Sequence, residues 1–336
     1  MNKITKILVA ISFLFTITAA NAGTLEVTGN METTYQSQAG SSTGNPLGTD
    51  RELKFSGSTE LDSGITVSVF QDTSDNLGYG NSQLAFSNSM GTIYVGTDAD
   101  PMDSIDDVTP SAYEEANGSG SGTYVDVGSF AGDMGIGTKV ALPYGVSIDA
   151  KYYPRHTEGV KTGDNAKSGD GNANTTDAFS TKIIADLTEA GLPGAKLTTG
   201  YAYGGFNNPA HNSTDEATVA LTYATGPLSF GYQLKHNEQG GNLRHTRYKD
   251  DAFGVAYAIN DALSVSFNRT TSKRNNGDTN GVGTATTNIT QETDAFNIGY
   301  AIGGMVIGFQ EASTDNANYV LAGEDDSRTL GVSVAF

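Results

Sequence analysis

The sequence predicts an all-β protein, a 16-stranded antiparallel transmembrane β-barrel with short periplasmic turns and long extracellular loops. Three observations predict it. Apolar residues alternate with small or polar ones, short and long connections alternate along the chain, and no apolar run after Ala22 reaches the length of a membrane-spanning helix. The mean hydropathy of −0.31 suits a soluble protein equally well, so the periodicity decides between the two classes.

The alternation is clearest at the C-terminus, in the segment "RTLGVSVAF". Leu330, Val332, Val334 and Phe336 share one face, and small or polar residues occupy the other. The same period of two recurs over residues 228–235, 253–259 and 296–302. A closed barrel in lipid needs such strands, because apolar side chains face the hydrocarbon and polar ones face a water-filled lumen.

The connections between the predicted strands fall into two classes. Seven are short and rich in Gly, Pro or Asn, as tight turns require; Pro143-Tyr144-Gly145 and Gly303-Gly304 are examples. Eight are long and polar, at roughly 37–49, 73–80, 97–133, 156–175, 205–214, 238–247, 272–290 and 313–325. Fifteen connections separate sixteen strands, and a barrel of that size is wide enough for an aqueous channel.

The N-terminus predicts export. Residues 1–22, "MNKITKILVAISFLFTITAANA", combine two lysines, an eleven-residue apolar run and an A-x-A cleavage signal, so we expect a cleaved signal peptide and a barrel domain over residues 23–336. The mature chain then has 336 − 22 = 314 residues, and loss of the two lysines changes the net charge from −19 to −21. Such an acidic chain is a poor partner for nucleic acid, and the absence of cysteine excludes a disulfide scaffold.

Five features of the chain belong together by their order and spacing. They are the segments "TLEVTGNMETTYQ", "LKFSGSTELDSGITVSVF", "GTIYVGTDAD" and "ALPYGVSIDAKYYP", and the terminal Phe336. Together they resemble the general porins of Gram-negative outer membranes, and the chain is similar in size to those of alphaproteobacteria. The resemblance covers essentially all of Gly23 to Phe336.

The resemblance implies a homotrimer of barrels in a bilayer that contains lipopolysaccharide, passing small hydrophilic solutes and ions by diffusion. It also implies that the third long loop, residues 97–133, folds into the lumen and narrows it. Phe336 resembles the terminal residue that the barrel-assembly machinery recognises.

The third long loop opens with the acidic stretch "TDADPMDSIDDVTP". Its candidate constriction acids are Asp98, Asp100, Asp103, Asp106, Asp107, Glu114 and Glu115. By strand parity, six lysines face the lumen as a basic wall: Lys54, Lys139, Lys151, Lys182, Lys196 and Lys235. A basic wall opposite an acidic loop creates a transverse field, and we expect mild cation selectivity from the excess of carboxylates. The alternative is a solvated extracellular loop that does not contact the pore.

Other functions have weaker support. Weak calcium binding is a second hypothesis for Asp98, Asp100, Asp106 and Asp107, but the loop lacks a D-x-[DN]-x-[DN]-G pattern, and no other cofactor is expected. The chain carries no G-x-S-x-G or H-E-x-x-H motif, so we expect no enzyme. The four histidines, His156, His211, His236 and His245, lack metal-ligand spacing. A substrate-selective porin and a loop-plugged structural or adhesive barrel remain alternatives to general diffusion.

Overall fold

A computed structural model describes residues 23–39, 45–73, 78–97, 100–114, 116, 126–156, 175–207, 212–238, 240, 246–276 and 288–336. Within these ranges the chain forms sixteen strands and two single-turn 3-10 helices, with no α-helix. No helix in the described ranges is long and apolar enough to cross a membrane.

The strands follow one another along the chain with alternating short and long connections, as predicted. The strands are β1 (Thr24–Ala39), β2 (Leu47–Glu60), β3 (Thr66–Thr73), β4 (Tyr79–Asn88), β5 (Gly91–Gly96), β6 (Gly135–Leu142), β7 (Val146–Tyr153), β8 (Thr175–Asp186), β9 (Ala195–Phe206), β10 (Thr214–Thr225), β11 (Leu228–Glu238), β12 (Thr246–Ala258), β13 (Leu263–Asn276), β14 (Ile289–Ile302), β15 (Met305–Asp315) and β16 (Glu324–Ala335). The predicted number of strands is confirmed.

The sheet is a closed antiparallel barrel in which every strand pairs with its neighbours in sequence. β1 and β16 close it, with Cα partners running from Asn30–Ala335 to Ala39–Asp326. Beyond the last pair, the Phe336 N–H donates to the Gly29 carbonyl (2.9 Å) and the Gly29 N–H donates back to the Phe336 carbonyl (2.8 Å). The closed sheet therefore has no free edge strand to expose unpaired backbone groups.

The two faces of the barrel differ as the alternation predicts. On β16, Leu330 and Val334 point outward and are 49% and 42% exposed, whereas Thr329, which directly precedes Leu330, is 2% exposed. On β14, Phe296 is exposed and the adjacent Asn297 is buried. The apolar face is therefore the outer surface, where lipid would cover it, and the polar face is the inner wall.

The largest buried apolar cluster lies against this inner wall. It joins four residues of the segment between β5 and β6 (Met102, Ile105, Val127 and Phe130) to wall residues that include Tyr153 and Ala202. Because these loop residues pack onto the wall, part of the interior is occupied by the chain itself.

A packing contact inside the barrel gives a stability prediction. Tyr94 of β5 is 1% exposed and donates a 2.7 Å hydrogen bond to Asp149, and a Cβ atom at Gly137 would overlap its ring. We expect Gly137→Ala to lower the free energy of unfolding by about 1–3 kcal/mol, as overpacking does. Urea unfolding in lipid vesicles measures this.

Gly57→Ala is the matched control, because a Cβ there would meet only ordinary contacts, the nearest being the Thr24 carbonyl oxygen at 3.5 Å. Equal unfolding midpoints for the two variants would contradict the packing described for Tyr94.

Candidate pore-lining site

The candidate site centres on the inner loop, defined as residues 97–134 between β5 and β6. It leaves the barrel wall at Thr97, whose N–H donates to the Ser82 carbonyl (2.9 Å), and returns at Gly135. Its described residues are 97, 100–114, 116 and 126–134. These form an outgoing limb (100–114) and a return limb (126–134).

The outgoing limb first contacts β8 and β11. The Met102 N–H donates to Ser180 Oγ of β8 (3.3 Å). On β11, the Gln233 side chain accepts from the Val108 N–H (3.0 Å) and donates to the Ile105 carbonyl (2.8 Å). Ser180 and Gln233 both belong to the polar inner face and are 1% and 0% exposed, so the limb lies on the inside of the barrel.

The limb then continues across β13. The Asn268 amide donates to the Pro110 carbonyl (2.9 Å), and the Ala112 N–H donates to Ser266 Oγ (2.9 Å). These wall side chains supply partners for a loop backbone that would otherwise be buried without hydrogen bonds. The wall of β8–β13 thus supplies the hydrogen-bond partners that the backbone of the outgoing limb requires.

At its far end the limb reaches β1. The Tyr113 hydroxyl donates a 2.7 Å hydrogen bond to the Glu32 carboxylate. Burial, followed by this bond to Glu32, raises the pKa of Tyr113 above its usual value, so the hydroxyl keeps its proton and acts as the donor. Contacts with β8, β11, β13 and β1 place the described part of the outgoing limb against the inner wall of the barrel.

Asp100 joins the two limbs of the inner loop. It is fully buried, and its carboxylate accepts from the backbone N–H groups of Met102 (3.1 Å) and Phe130 (3.2 Å). Burial raises the pKa of Asp100, and the hydrogen bonds to its carboxylate oppose that shift. This carboxylate is therefore a structural group that faces away from open solvent.

Asp106 and Asp107 follow the short helix at Asp103–Ile105. Asp106 is half-buried and accepts from the Asp107 N–H (2.8 Å); burial, and then the nearby carboxylates of Asp126 and Asp103, raise the pKa of Asp106 to about 7. Asp107 accepts from both the N–H (3.0 Å) and the hydroxyl (2.9 Å) of Thr109. The Asp106 carboxyl therefore titrates within the physiological pH range.

The remaining predicted acids differ in exposure. Asp103 is exposed and Glu114 is half-buried. Asp98 and Glu115 lie outside the described residues. The structure thus brings Asp103, Asp106 and Asp107 together on one short stretch of the outgoing limb, while Asp100 lies behind it.

Two of the predicted lysines lie where the inner loop begins its path along the wall. Lys139 and Lys182 both place Nζ 3.8 Å from Asp149 Oδ2, and Lys182 also donates to Ser104 Oγ. Lys139 is exposed and Lys182 is half-buried, so both ammonium groups border the space beside the loop. The three side chains together carry one net positive charge.

Lys54 and Lys196 occupy other parts of the inner face. Lys54 of β2 lies over the ring of Phe70, with Nζ 3.9 Å from its centroid, a cation–π contact. It belongs to the wall formed by β1–β4, which the inner loop contacts by hydrogen bonds at Ser82, where the loop leaves the sheet, and at Glu32. Lys196 is exposed near the start of β9.

Lys151 and Lys235 face inward as parity predicts, but they are 2% and 5% exposed. Lys151 Nζ donates to the Asp133 carbonyl (3.2 Å), and Lys235 Nζ lies 2.6 Å from Asp126 Oδ2. Both partners belong to the return limb. These two buried ammonium groups therefore attach the return limb to the wall. A buried ammonium is tolerated only with hydrogen-bond or ion-pair partners of this kind.

Glu216 of β10, which the sequence pattern alone does not single out, is fully buried and holds the return limb. Its carboxylate accepts from the N–H groups of Gly128 (2.9 Å) and Ser129 (3.2 Å) and from the Asn237 amide (2.9 Å). The sequence does contain one sign of this role. Glu216 alternates with Thr214 and Thr218 on the inward-facing side of the strand, where a carboxylate can bind a segment inside the barrel.

The described residues contain no group of three or more His, Cys, Asp or Glu side chains that could hold a metal ion. Of the calcium candidates, Asp100, Asp106 and Asp107 accept hydrogen bonds from backbone N–H groups, and Asp98 lies outside the described ranges. Of the histidines, His156 is fully buried with Nε2 2.7 Å from the Gly205 carbonyl, and His211 and His245 also lie outside those ranges.

Comparison with solved structures shows the same fold. The anion-selective porin from Comamonas acidovorans is 11% identical, with a TM-score of 0.67 over 94% of this chain and 100% of that one. The trimer form of OmpT from Vibrio cholerae is 11% identical, with a TM-score of 0.69 over 94% and 100% of the two chains. A mutant of the Rh. blastica porin is 15% identical, with a TM-score of 0.60 over 93% and 100%.

No curated protein matches the sequence. The family model described as Gram-negative porin matches residues 8–301, which is most of the chain. A closed barrel of sixteen strands with an apolar outer face agrees with that match. The chain therefore belongs to the Gram-negative porin family and is a barrel of the outer membrane.

Proposed function

We propose that this protein is a general diffusion porin that passes small hydrophilic solutes and ions through a constriction between the inner loop and the β1–β6 wall. The observation that carries the proposal is the path of the outgoing limb, which is bonded to β8, β11, β13 and β1. That path leaves the wall of Lys54 and Lys139 for water and solutes. It needs no cofactor and no catalytic group.

The charge of the constriction favours cations in this proposal. Asp103, Asp106 and Asp107 lie on the loop side, and Lys54 and Lys139 lie on the wall side. Lys182 of β8 lies beside the loop at Ser104, and Asp149 offsets part of the charge of Lys139 and Lys182. The low dielectric of wall and lipid concentrates the field between them. The fold alone does not set this preference, since one structural neighbour is described as anion-selective.

Assembly and export complete the proposal. We expect a homotrimer, in line with the trimer form of one structural neighbour. Residues 1–22 act as a cleaved signal peptide, Phe336 acts as the barrel-assembly signal, and the outer wall contacts lipid and lipopolysaccharide. Residues 1–22 lie outside the described part of the chain. A substrate-selective porin would share this geometry but would bind its solute, and an adhesive plugged barrel would not conduct.

A planar-bilayer recording tests the channel and the role of the acids together. We expect stepwise conductance and a reversal potential that favours cations in a salt gradient. Replacing Asp103, Asp106 and Asp107 together by Asn should shift the reversal potential toward anions and leave the barrel folded, because charge rings at a constriction set ion preference.

Asp261→Asn, in an exposed periplasmic turn, is the control for the loss of a carboxylate outside the loop. A wild-type protein without conductance would overturn both channel hypotheses, and block by micromolar solute would favour the selective channel. An unchanged reversal potential in the triple variant would show that these acids do not set the selectivity.

The raised pKa of Asp106 predicts a pH dependence. With a pKa of about 7, the carboxyl is mostly charged at pH 8 and mostly protonated at pH 6, so the cation preference should fall as the pH is lowered across this interval. Reversal potentials at pH 8, 7 and 6 measure this change. Asp106→Asn should remove the step near pH 7, and a step of the same size in that variant would assign the titration to another group.

A further inference from the structure

Three neighbouring strands carry a glycine at the same level of the inner wall. Gly299 of β14 pairs with Gly308 of β15, which pairs with Gly331 of β16. On β11 and β12 a second pair, Gly231 and Gly254, occupies the inner face in the same way. We call these five residues the glycine track.

The outgoing limb of the inner loop fills the space above the glycine track. Cβ atoms at Gly231 and Gly254 would lie 2.5 Å from Pro110 Cδ and 2.7 Å from the Pro110 carbonyl oxygen. A Cβ at Gly299 would overlap the Ala112 carbonyl oxygen. Any side chain at these positions would therefore lift the loop from the wall.

Tyr113 fills the last part of the track. A Cβ at Gly308 would overlap its ring, and a Cβ at Gly331 would overlap its hydroxyl oxygen. The hydroxyl then donates to Glu32, which lies on β1 across the β1–β16 seam and pairs with Ser333 of β16. The ring is thus seated in a slot formed by two paired glycines and ends on a carboxylate.

Conformational freedom does not explain these glycines. None of the five has a positive φ, unlike the turn glycines Gly145 and Gly226. Glycine inside a strand is less favourable than alanine, because glycine loses more conformational freedom on folding. Close approach of another segment is the remaining physical reason for glycine in a strand interior, and the inner loop is that segment.

We infer that Tyr113, seated on Gly308 and Gly331 and bonded to Glu32, is a latch that holds the inner loop against the wall and keeps the pore open. This inference rests on the proposed function. The wall behind the outgoing limb blocks movement away from the pore, so a released limb moves into the passage beside it. Tyr113 is then a positioning residue for conduction, and it acts through the loop without touching the solute.

The latch has two separable parts. The ring packs into the glycine slot, and the hydroxyl makes a hydrogen bond to a charged acceptor, which is stronger than one between neutral groups. Tyr113→Phe removes only the bond to Glu32, Tyr113→Ala removes both parts, and Gly308→Ala keeps the tyrosine but fills the slot.

Single-channel recording and liposome swelling with sugars of increasing size test the latch. We expect Tyr113→Ala and Gly308→Ala to show frequent lower-conductance levels and slower entry of the larger sugars. Tyr113→Phe should lie between them and the wild type, with about a tenfold increase in the fraction of time spent at lower conductance, the effect of one lost charge-assisted bond. Heat-modifiable migration on SDS gels verifies that each barrel is folded.

Gly57→Ala is the control, because its Cβ would meet ordinary contacts away from the inner loop. Folded Tyr113→Ala and Gly308→Ala channels with the steady current and sugar entry of the wild type would overturn the latch. A wild-type protein without conductance would instead overturn the proposed function.

A cross-link tests the seat of Tyr113 independently of conduction. The chain has no cysteine, so the double variant Tyr113→Cys with Gly308→Cys contains one cysteine pair. We expect mild oxidation to join the pair in the folded barrel, whereas Tyr113→Cys with Gly57→Cys should stay reduced. Failure of the first pair to cross-link in a folded barrel would contradict the seating of Tyr113 on Gly308.

Discussion

The structure depends on one constraint, that every backbone N–H and C=O group within a bilayer must find its partner inside the protein. Sixteen antiparallel strands meet it by closing on themselves, with β1 joined to β16 and Gly29 and Phe336 bonded to each other at the end of the seam. Once the sheet is closed, the period of two sends apolar side chains to the lipid and polar ones to the interior. The inner wall is therefore rich in hydrogen-bonding groups.

That polar wall allows a long loop to be held inside the barrel. A loop carries unpaired backbone groups, and Ser180, Gln233 and Asn268 supply partners for the outgoing limb. Two buried carboxylates complete the attachment, since Asp100 joins the limbs to each other and Glu216 joins the return limb to β10. The interior is thus divided between a wall covered by the loop and a wall along β1–β6 that we propose lines the passage.

The sequence predicts the barrel well because the period of two and the turn chemistry are local properties. It predicts the inward direction of Lys151 and Lys235 for the same reason. It does not predict their burial, since which inward positions are covered depends on the path of a loop far away in sequence. Gly308 and Gly331 show the same limit: in the sequence they are ordinary strand glycines, and only contact with Tyr113 gives them a role.

We propose that water follows the β1–β6 wall while the inner loop covers the opposite wall. Single cysteines in this cysteine-free chain test it directly, with a charged methanethiosulfonate reagent added during a bilayer recording. Ser56 of β2 is half-buried and faces inward, and Ala252 of β12 faces inward but is 1% exposed. We expect Ser56→Cys to react and lose current and Ala252→Cys not to react; rapid modification of Ala252→Cys with an inert Ser56→Cys would contradict this division of the interior.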